Sequence, residues 1–293
     1  MNLVQILTYI FNHPLNKRRK RKSFLKFIKW QIGGKINRFP IIYDFSENTR
    51  MIIKKGLTGA TGNFYCGLHD FSEMSFLLHF LRRDDLFIDI GANIGSYSLL
   101  ASGEIGCQSI CFEPSVSTYG NLIDNININK LQSKVRTLNM AIGSEKTELS
   151  FTKSLDTMNH ITNENGDNSI KVKVDTLDDI LNKGKIPILI KVDVEGYETE
   201  VLKGANSTLL NNQLKAIIIE LNGSGKRYGF DENEIHNKLL ELNFLPYSYD
   251  PWKRNLHLVD SYGKDNTIYI RDINFVKERL HHAKKYKMFH YEI

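Results

Sequence analysis

Two acidic residues stand at the ends of apolar runs. Asp89 lies within Phe87-Ile88-Asp89-Ile90 and is followed by Gly91-Ala92-Asn93-Ile94-Gly95. Glu113 closes Ser109-Ile110-Cys111-Phe112, 24 residues after Asp89, and precedes Pro114. Glycines just past a strand let the backbone turn tightly and approach a ligand, and the helix that follows offers unpaired N–H groups. A dinucleotide fingerprint wants GxGxxG. Here there are two glycines, and the carboxylate before the first would repel a pyrophosphate while suiting a cationic or amino-bearing ligand. An acid at the end of the next strand can accept both hydroxyls of a ribose. The pair predicts a nucleoside ligand.

A second acidic group follows. Asp193, Glu195 and Glu198 come directly after the apolar run Ile186 to Val192, and Glu220 with Asn222 ends the run from Ala216 to Leu221. Ligands of open α/β sheets sit outside the carboxyl ends of the strands, so these side chains should converge. Three chemistries suit them: a general base for an acceptor hydroxyl, oxygen ligands for Mg²⁺ from Asp193, Glu220 and Asn222, or hydrogen bonds to a sugar. Glu198 reads as structural, set in the first turn of a helix. Lys191 sits inside an apolar strand and needs an acid partner, with Asp193 nearest in sequence. His69, in Gly67-Leu68-His69-Asp70, is placed to lean over the site, whereas His281, His282 and His290 read as a solvated helix face.

The elements that must hold these residues alternate. Apolar strands are expected at Leu86–Ile90, Ser109–Phe112, Val135–Met140, Pro187–Val192 and Ala216–Leu221. Helices are expected near 94–102, 118–129, 197–210 and 231–242. Strands apolar on both faces require a parallel sheet covered by helices. Glu148–Phe151 and Ile170–Val174 read as an added hairpin around a polar loop, 155–169. Leu245–Tyr249, His257–Val259 and Thr267–Arg271 read as an antiparallel edge. Upstream, Phe39–Tyr43, Met51–Lys54 and Asn63–Gly67 look like short strands, followed by a helix to Leu81.

The chain resembles S-adenosylmethionine-dependent methyltransferases of the Rossmann-like class, specifically the FkbM family. The resemblance rests on Asp89-x-Gly91-Ala92-Asn93-Ile94-Gly95, Phe112-Glu113-Pro114, Asn121-Leu122, Asn125 to Asn129 and Val174-Asp175-Thr176-Leu177-Asp178. It continues through Ile190 to Glu198, Leu202-Lys203-Gly204-Ala205 and the strand ending at Glu220, covering about residues 70–222. It implies S-adenosylmethionine as cofactor. Gly91, Ala92, Asn93 and Gly95 would take its methionine part, Asp89 its amino group, Glu113 and Pro114 the ribose, and Asn139 to Ala141 the adenine side. Asp193 would lie nearest the transfer, with Lys191, Glu195 and Glu220 beside it. The implied reaction is O-methylation of a sugar in a cell-surface glycan or glycolipid precursor. The alternative acceptor is a polyketide or other small natural product. A nicotinamide-dependent oxidoreductase and a non-catalytic nucleoside-binding protein are the other classes weighed.

Composition bounds the rest. The 293 residues suit one large domain with appendages. Cys66, Cys107 and Cys111 include no CxxC pair, so a reducing, cytoplasmic setting is expected. The net charge of +6 is uneven. Residues 1–30 carry eight basic residues and no acid, 271–293 carry six against three, and the body holds 25 against 30. A basic pI from the ends alone gives no reason to expect nucleic acid as a partner. Residues 17–32 combine Lys17 to Lys22 with Phe24, Leu25, Ile28 and Ile32 at helical spacing. This segment either packs on its own domain or makes peripheral contact with an anionic membrane face. The expected organisation is a basic helical segment (1–38), a β-rich cap with a lead-in helix (39–82), a methyltransferase domain (83–272) and a basic C-terminal helix or tail (273–293).

Overall fold

The computed structural model describes residues 3–36, 40–54, 56–152, 160–162, 169–182, 184–263 and 265–293. Helices α1 (Leu3–Asn12) and α2 (Lys20–Ile36) come first, then a hairpin of β1 (Ile41–Asp44) and β2 (Arg50–Ile53). Helices α3 (Thr58–Cys66) and α4 (Phe71–Phe80) lead into the main sheet. The expected strand Asn63–Gly67 is therefore the end of a helix. Ala60, Tyr65 and Cys66 are buried there, the last two against Ile10 and Phe27 of the first two helices, and that packing overrides the local β preference.

From Leu86 the alternation holds. Strand β3 (Leu86–Ile90) is followed by α5 (Ser96–Ser98), which runs on as a π-helical turn over Leu99–Ile105. Next come β4 (Gln108–Phe112), α6 (Val116–Ile128) and β5 (Val135–Leu138). A small second sheet holds β6 (Ala141–Ile142), β7 (Thr147–Thr152), β8 (Ile161–Thr162) and β9 (Ser169–Asp175). It contains the expected hairpin; most of the 155–169 loop lies outside the described residues. Helix α7 (Leu177–Leu181) returns the chain to β10 (Leu189–Val192). The single helix expected over 197–210 is two, α8 (Glu198–Lys203) and α9 (Asn206–Leu210). They part at Gly204, where a Cβ would lie 1.9 Å from the Gly143 carbonyl oxygen.

Strand β11 (Ala216–Glu220), α10 (Glu232–Glu241), β12 (Leu245–Asp250), β13 (Asn255–Leu258) and β14 (Asn266–Ile270) complete the sheet. Helix α11 (Ile273–His281) and a two-residue pair, β15 (Lys287–Met288) with β16 (Tyr291–Glu292), end the chain. His281 and His282 are exposed as expected, but His290 lies between β15 and β16 and not on a helix face.

The eight strands of the main sheet run in the order β13-β12-β14-β11-β10-β3-β4-β5. The five from β11 to β5 are parallel; β14, β12 and β13 add an antiparallel edge. This is a Rossmann-like α/β fold. Successive residues feed opposite cores: along β11, Ala216 and Ile218 enter one, Ile217 and Ile219 the other. By the same alternation Asp89 on β3 and Lys191 on β10, which are register partners, face one side. Strand order reverses between β3 and β10, so the crevice at their carboxyl ends is where a ligand belongs.

Helix α2 docks through Ser23, Phe27 and Trp30, spaced at i, i+4 and i+7. The stripe marked out in the sequence lies elsewhere. Phe24, Leu25 and Ile32 are exposed and Ile28 is half-buried. Among the described residues no helix is long and apolar enough to cross a membrane.

Candidate active site

The turn after β3 is tied into the sheet by backbone bonds. Gly91 N–H and Ala92 N–H both donate to the Phe112 carbonyl, at 3.0 and 2.9 Å, and Asp193 N–H donates to Ile90 O at 3.1 Å. The turn also passes so close to the β10 loop that a Cβ on Gly91 would lie 1.8 Å from Asp193 O. Gly91 has φ +77°, so no side chain is tolerated on either ground. Gly95, at φ +88°, acts differently: a Cβ there would meet Leu122 of α6 at 2.6 Å. Between them Asn93 adopts φ 51°, and its side-chain oxygen accepts the Ile94 N–H at 2.8 Å.

Glu113 is 6% exposed and both of its carboxylate oxygens are fixed by backbone. Oε2 accepts from Asn93 N at 3.0 Å and Oε1 from Ser115 N at 2.9 Å. Burial pushes its pKa up to about 7. Those bonds leave lone pairs free on a carboxylate held rigidly at the edge of a cavity of about 660 Å³.

That cavity collects most residues singled out from sequence. Gly91, Ala92, Asn93, Glu113, Pro114 and Ala141 line it from the sheet, and so do Lys191, Asp193, Glu195 and Glu220. His69 faces it too, from the segment before α4. Three expected residues do not line it. Asp89, expected to meet an amino group, is fully buried beneath the turn, with Oδ2 accepting from Ser98 Oγ at 2.6 Å. Its Oδ1 is buried and has no hydrogen-bond partner among the described residues. Gly95 is taken up by helix packing, and Asn139 braces the strand ends, its Nδ2 donating to Glu113 O at 2.8 Å and Pro114 O at 3.1 Å.

In the acidic cluster, Lys191 Nζ donates to Asp193 Oδ2 at 2.8 Å and lies 4.9 Å from the centre of the Tyr97 ring. Burial alone would lower the Lys191 pKa, but Asp193 and its register partner Asp89 hold it above the ordinary lysine value. The ammonium is thus the counter-charge for two carboxylates. Carboxylate oxygens of Asp193, Glu195 and Glu220 all lie within 4.8 Å of one another. Burial, then the Asp193 charge, push Glu195 up to about 7. Burial, then Asp193 and Glu195, raise Glu220 further. Both shifts follow from crowding carboxylates around Asp193, whose ion-pair partner is the Lys191 ammonium. An oxygen-only set also suits a hard divalent cation, the Mg²⁺ reading raised by the sequence.

The loop carrying Glu195 is shaped for it. Glu195 sits at φ 56° and Gly196 at φ 103°. Glu198 Oε1 accepts from Val194 N at 3.1 Å and Gly196 N at 3.2 Å, so Glu198 holds the loop from beneath, as its position in the first turn suggested.

Sequence reasoning missed the opposite wall. Ile6 and Tyr9 of α1, Trp30 and Gln31 of α2, and Tyr65 of α3 reach the cavity. Tyr9 Oη lies 2.5 Å from His69 Nδ1 and donates to His69 O at 3.0 Å. Tyr97 Oη donates to Asp70 Oδ2 at 2.9 Å. Asn266 lines the cavity beside its register partner Glu220. The only sequence signal for this wall is its aromatic content.

Residues 89–246, running from the acid before the glycine turn to the antiparallel edge, match the model of the methyltransferase FkbM domain. The chain belongs to the FkbM methyltransferase family. This FkbM chain is 28% identical over 167 residues to the hexuronic acid methyltransferase AglP of Haloferax volcanii, covering 56% of the chain and 65% of AglP. It therefore spans a little under two thirds of that relative's length. Among solved structures, the methyltransferase FkbM from Methylobacillus flagellatus KT is 17% identical with a TM-score of 0.47, over 71% of this chain and 52% of the other. M. capricolum TrmK, in complex with S-adenosyl-homocysteine, is 11% identical with a TM-score of 0.40, over 68% of each chain.

Proposed function

We propose that this methyltransferase uses S-adenosylmethionine to methylate a hydroxyl of a sugar in a cell-surface glycan or glycolipid precursor. The observation that carries this is that one cavity holds both Glu113 and the Asp193–Lys191 pair. The residues present fit the cofactor. Glu113 is a fixed acceptor for ribose hydroxyls, Gly91 allows close backbone approach, and the orphaned Asp89 Oδ1 with Lys191 sets the charge beneath the turn. When bound, the cofactor supplies a methyl group activated by the sulfonium.

The chain's own part is alignment and proton removal. Asp193 accepts the acceptor's hydroxyl proton, and Lys191 fixes the orientation of that carboxylate. Glu220, carrying a proton, is placed to hydrogen-bond Asp193 or a second acceptor hydroxyl. The wall of Tyr9, Trp30, Tyr65, Gln31 and His69 combines apolar ring faces with hydrogen-bonding groups, which matches the two-sided surface of a sugar. The name of the Haloferax relative, a hexuronic acid methyltransferase, supports the same class of acceptor.

Calorimetry tests the cofactor. Wild-type protein should bind S-adenosylmethionine and S-adenosylhomocysteine but not NAD, and Glu113→Ala should weaken both by on the order of a hundredfold. Unchanged affinity in Glu113→Ala would remove the ribose assignment. Transfer of labelled methyl to polyketide acceptors, and not to sugars, would overturn the acceptor class; loss of turnover with EDTA, restored by Mg²⁺, would make the acids metal ligands.

A further inference from the structure

The first acid in the chain is Asp44; before it stand ten basic residues. Among the described side chains, two are turned inward. Lys26 Nζ lies 4.1 Å from the centre of the Phe64 ring, and Arg19 lies over the Phe289 ring at 4.4 Å. Lys17, Arg18, Lys20, Arg21, Lys22 and Lys29 remain exposed. Beside them is an apolar surface that the fold does not cover: Leu25 is 56% exposed, Ile32 55% and Val4 71%. Arg21, Leu25, Ile28, Lys29 and Ile32 recur at helical spacing on one face of α2. Phe24 meets Phe11 of α1, ring centres 6.3 Å apart, so the outer faces of the two helices join.

We infer that the α1–α2 hairpin docks on an anionic lipid bilayer, laying its outer apolar face into the headgroup boundary. The charge selects the occupant. A second copy docked hairpin to hairpin would set cations against cations, because residues 1–43 contain no acid, whereas an anionic leaflet supplies both counter-charge and an apolar layer. Six exposed cations and a short apolar stripe together give reversible, salt-sensitive attachment. The same two helices wall the cavity from inside through Ile6, Tyr9, Trp30 and Gln31. Docking therefore brings the acceptor side of the cavity to the bilayer, where a lipid-linked sugar would be presented. That consequence rests on the sugar reading; the docking does not.

Vesicle flotation of the full chain tests it. Protein should float with phosphatidylcholine vesicles in which phosphatidylglycerol replaces about a third of the lipid, not with pure phosphatidylcholine, and high salt should release it. Neutralising Lys20, Arg21 and Lys22 to Gln should weaken partitioning on the order of a hundredfold, and Leu25→Ser with Ile32→Ser on the order of tenfold. Both variants should keep the wild-type Tm and cofactor affinity, since none of the five residues lines the cavity. No flotation with anionic vesicles would overturn the inference. So would equal partitioning of both variants, or salt-sensitive retention of duplex DNA in place of vesicles. A protein that floats but binds no S-adenosylmethionine would leave the docking standing and remove the cofactor reading instead.

Discussion

The two ends of the cavity are built by different means. On the sheet side, position comes from backbone: Gly91 and Ala92 share the Phe112 carbonyl, Glu113 is held by two N–H groups, and a Cβ on Gly91 would lie 1.8 Å from Asp193 O. On the helical side, position comes from side chains such as Tyr9, Trp30, Tyr65 and His69, carried on helices that also face solvent. Backbone contacts in a central sheet move only if the sheet moves, whereas side chains on an outer hairpin can change with little effect on the core. A fixed cofactor and a variable acceptor need such a division.

The largest effects should fall on the sheet side. Asp193→Asn keeps the volume of the side chain and one oxygen that can accept from Lys191, but removes the carboxylate. We expect kcat to fall by roughly 10²–10⁴ with S-adenosylmethionine affinity within about threefold of wild type. Retained turnover would reject Asp193 as the proton acceptor. Gly91→Ala is next: the methyl group collides with Asp193 O at a positive φ. Stability should drop by about 3 kcal/mol or more, read from the midpoint of urea unfolding. A drop of less than 1 kcal/mol would show the two loops to be mobile, and the contrast between the ends would lose its basis.

The same division explains what could be read from sequence. Asp89, Glu113, Asp193 and Glu220 were legible because each ends an apolar run that can only be a buried strand, and strand ends in such sheets converge. Asp89 shows the limit of that logic. Its place in the chain marks the turn, but period-two alternation turns it under the loop beside Lys191, a fact fixed by register and not by local sequence. Asn139 is a similar case: it follows a strand end, and its amide nitrogen donates to neighbouring carbonyls. The helical wall was illegible because Tyr9, Trp30 and Tyr65 come together through packing between helices far apart in sequence. In α2 the eye follows Phe24, Leu25, Ile28 and Ile32, yet the docking face runs through Phe27.

A smaller change should sharpen the comparison from the helical side. Tyr9→Phe keeps the ring and removes the hydroxyl that holds His69 at both Nδ1 and the carbonyl. Losing one such anchor should raise the acceptor KM severalfold, with kcat and cofactor affinity nearly unchanged. An equal loss of cofactor affinity would mean that the two ends are not independent.

The smallest effect concerns protons. Glu73, Glu113, Glu195 and Glu198 have pKa values pushed up to about 7, in each case chiefly by burial. A carboxyl whose folded pKa lies above its unfolded one stabilises the fold most when protonated, and that stabilisation is lost as pH rises through the folded value. His13 and His79, lowered to about 4 by burial, act in the opposite sense, but only as pH falls below the ordinary histidine range. Between roughly pH 6.5 and 8 the carboxyls therefore set the slope, and Tm of the cofactor-free protein should decline. Glu195→Gln should flatten that decline by about a degree, a figure discounted for its half-exposed position. An unchanged slope would mean that Glu195 is already ionised at neutral pH, leaving the Lys191 ammonium to face one more carboxylate.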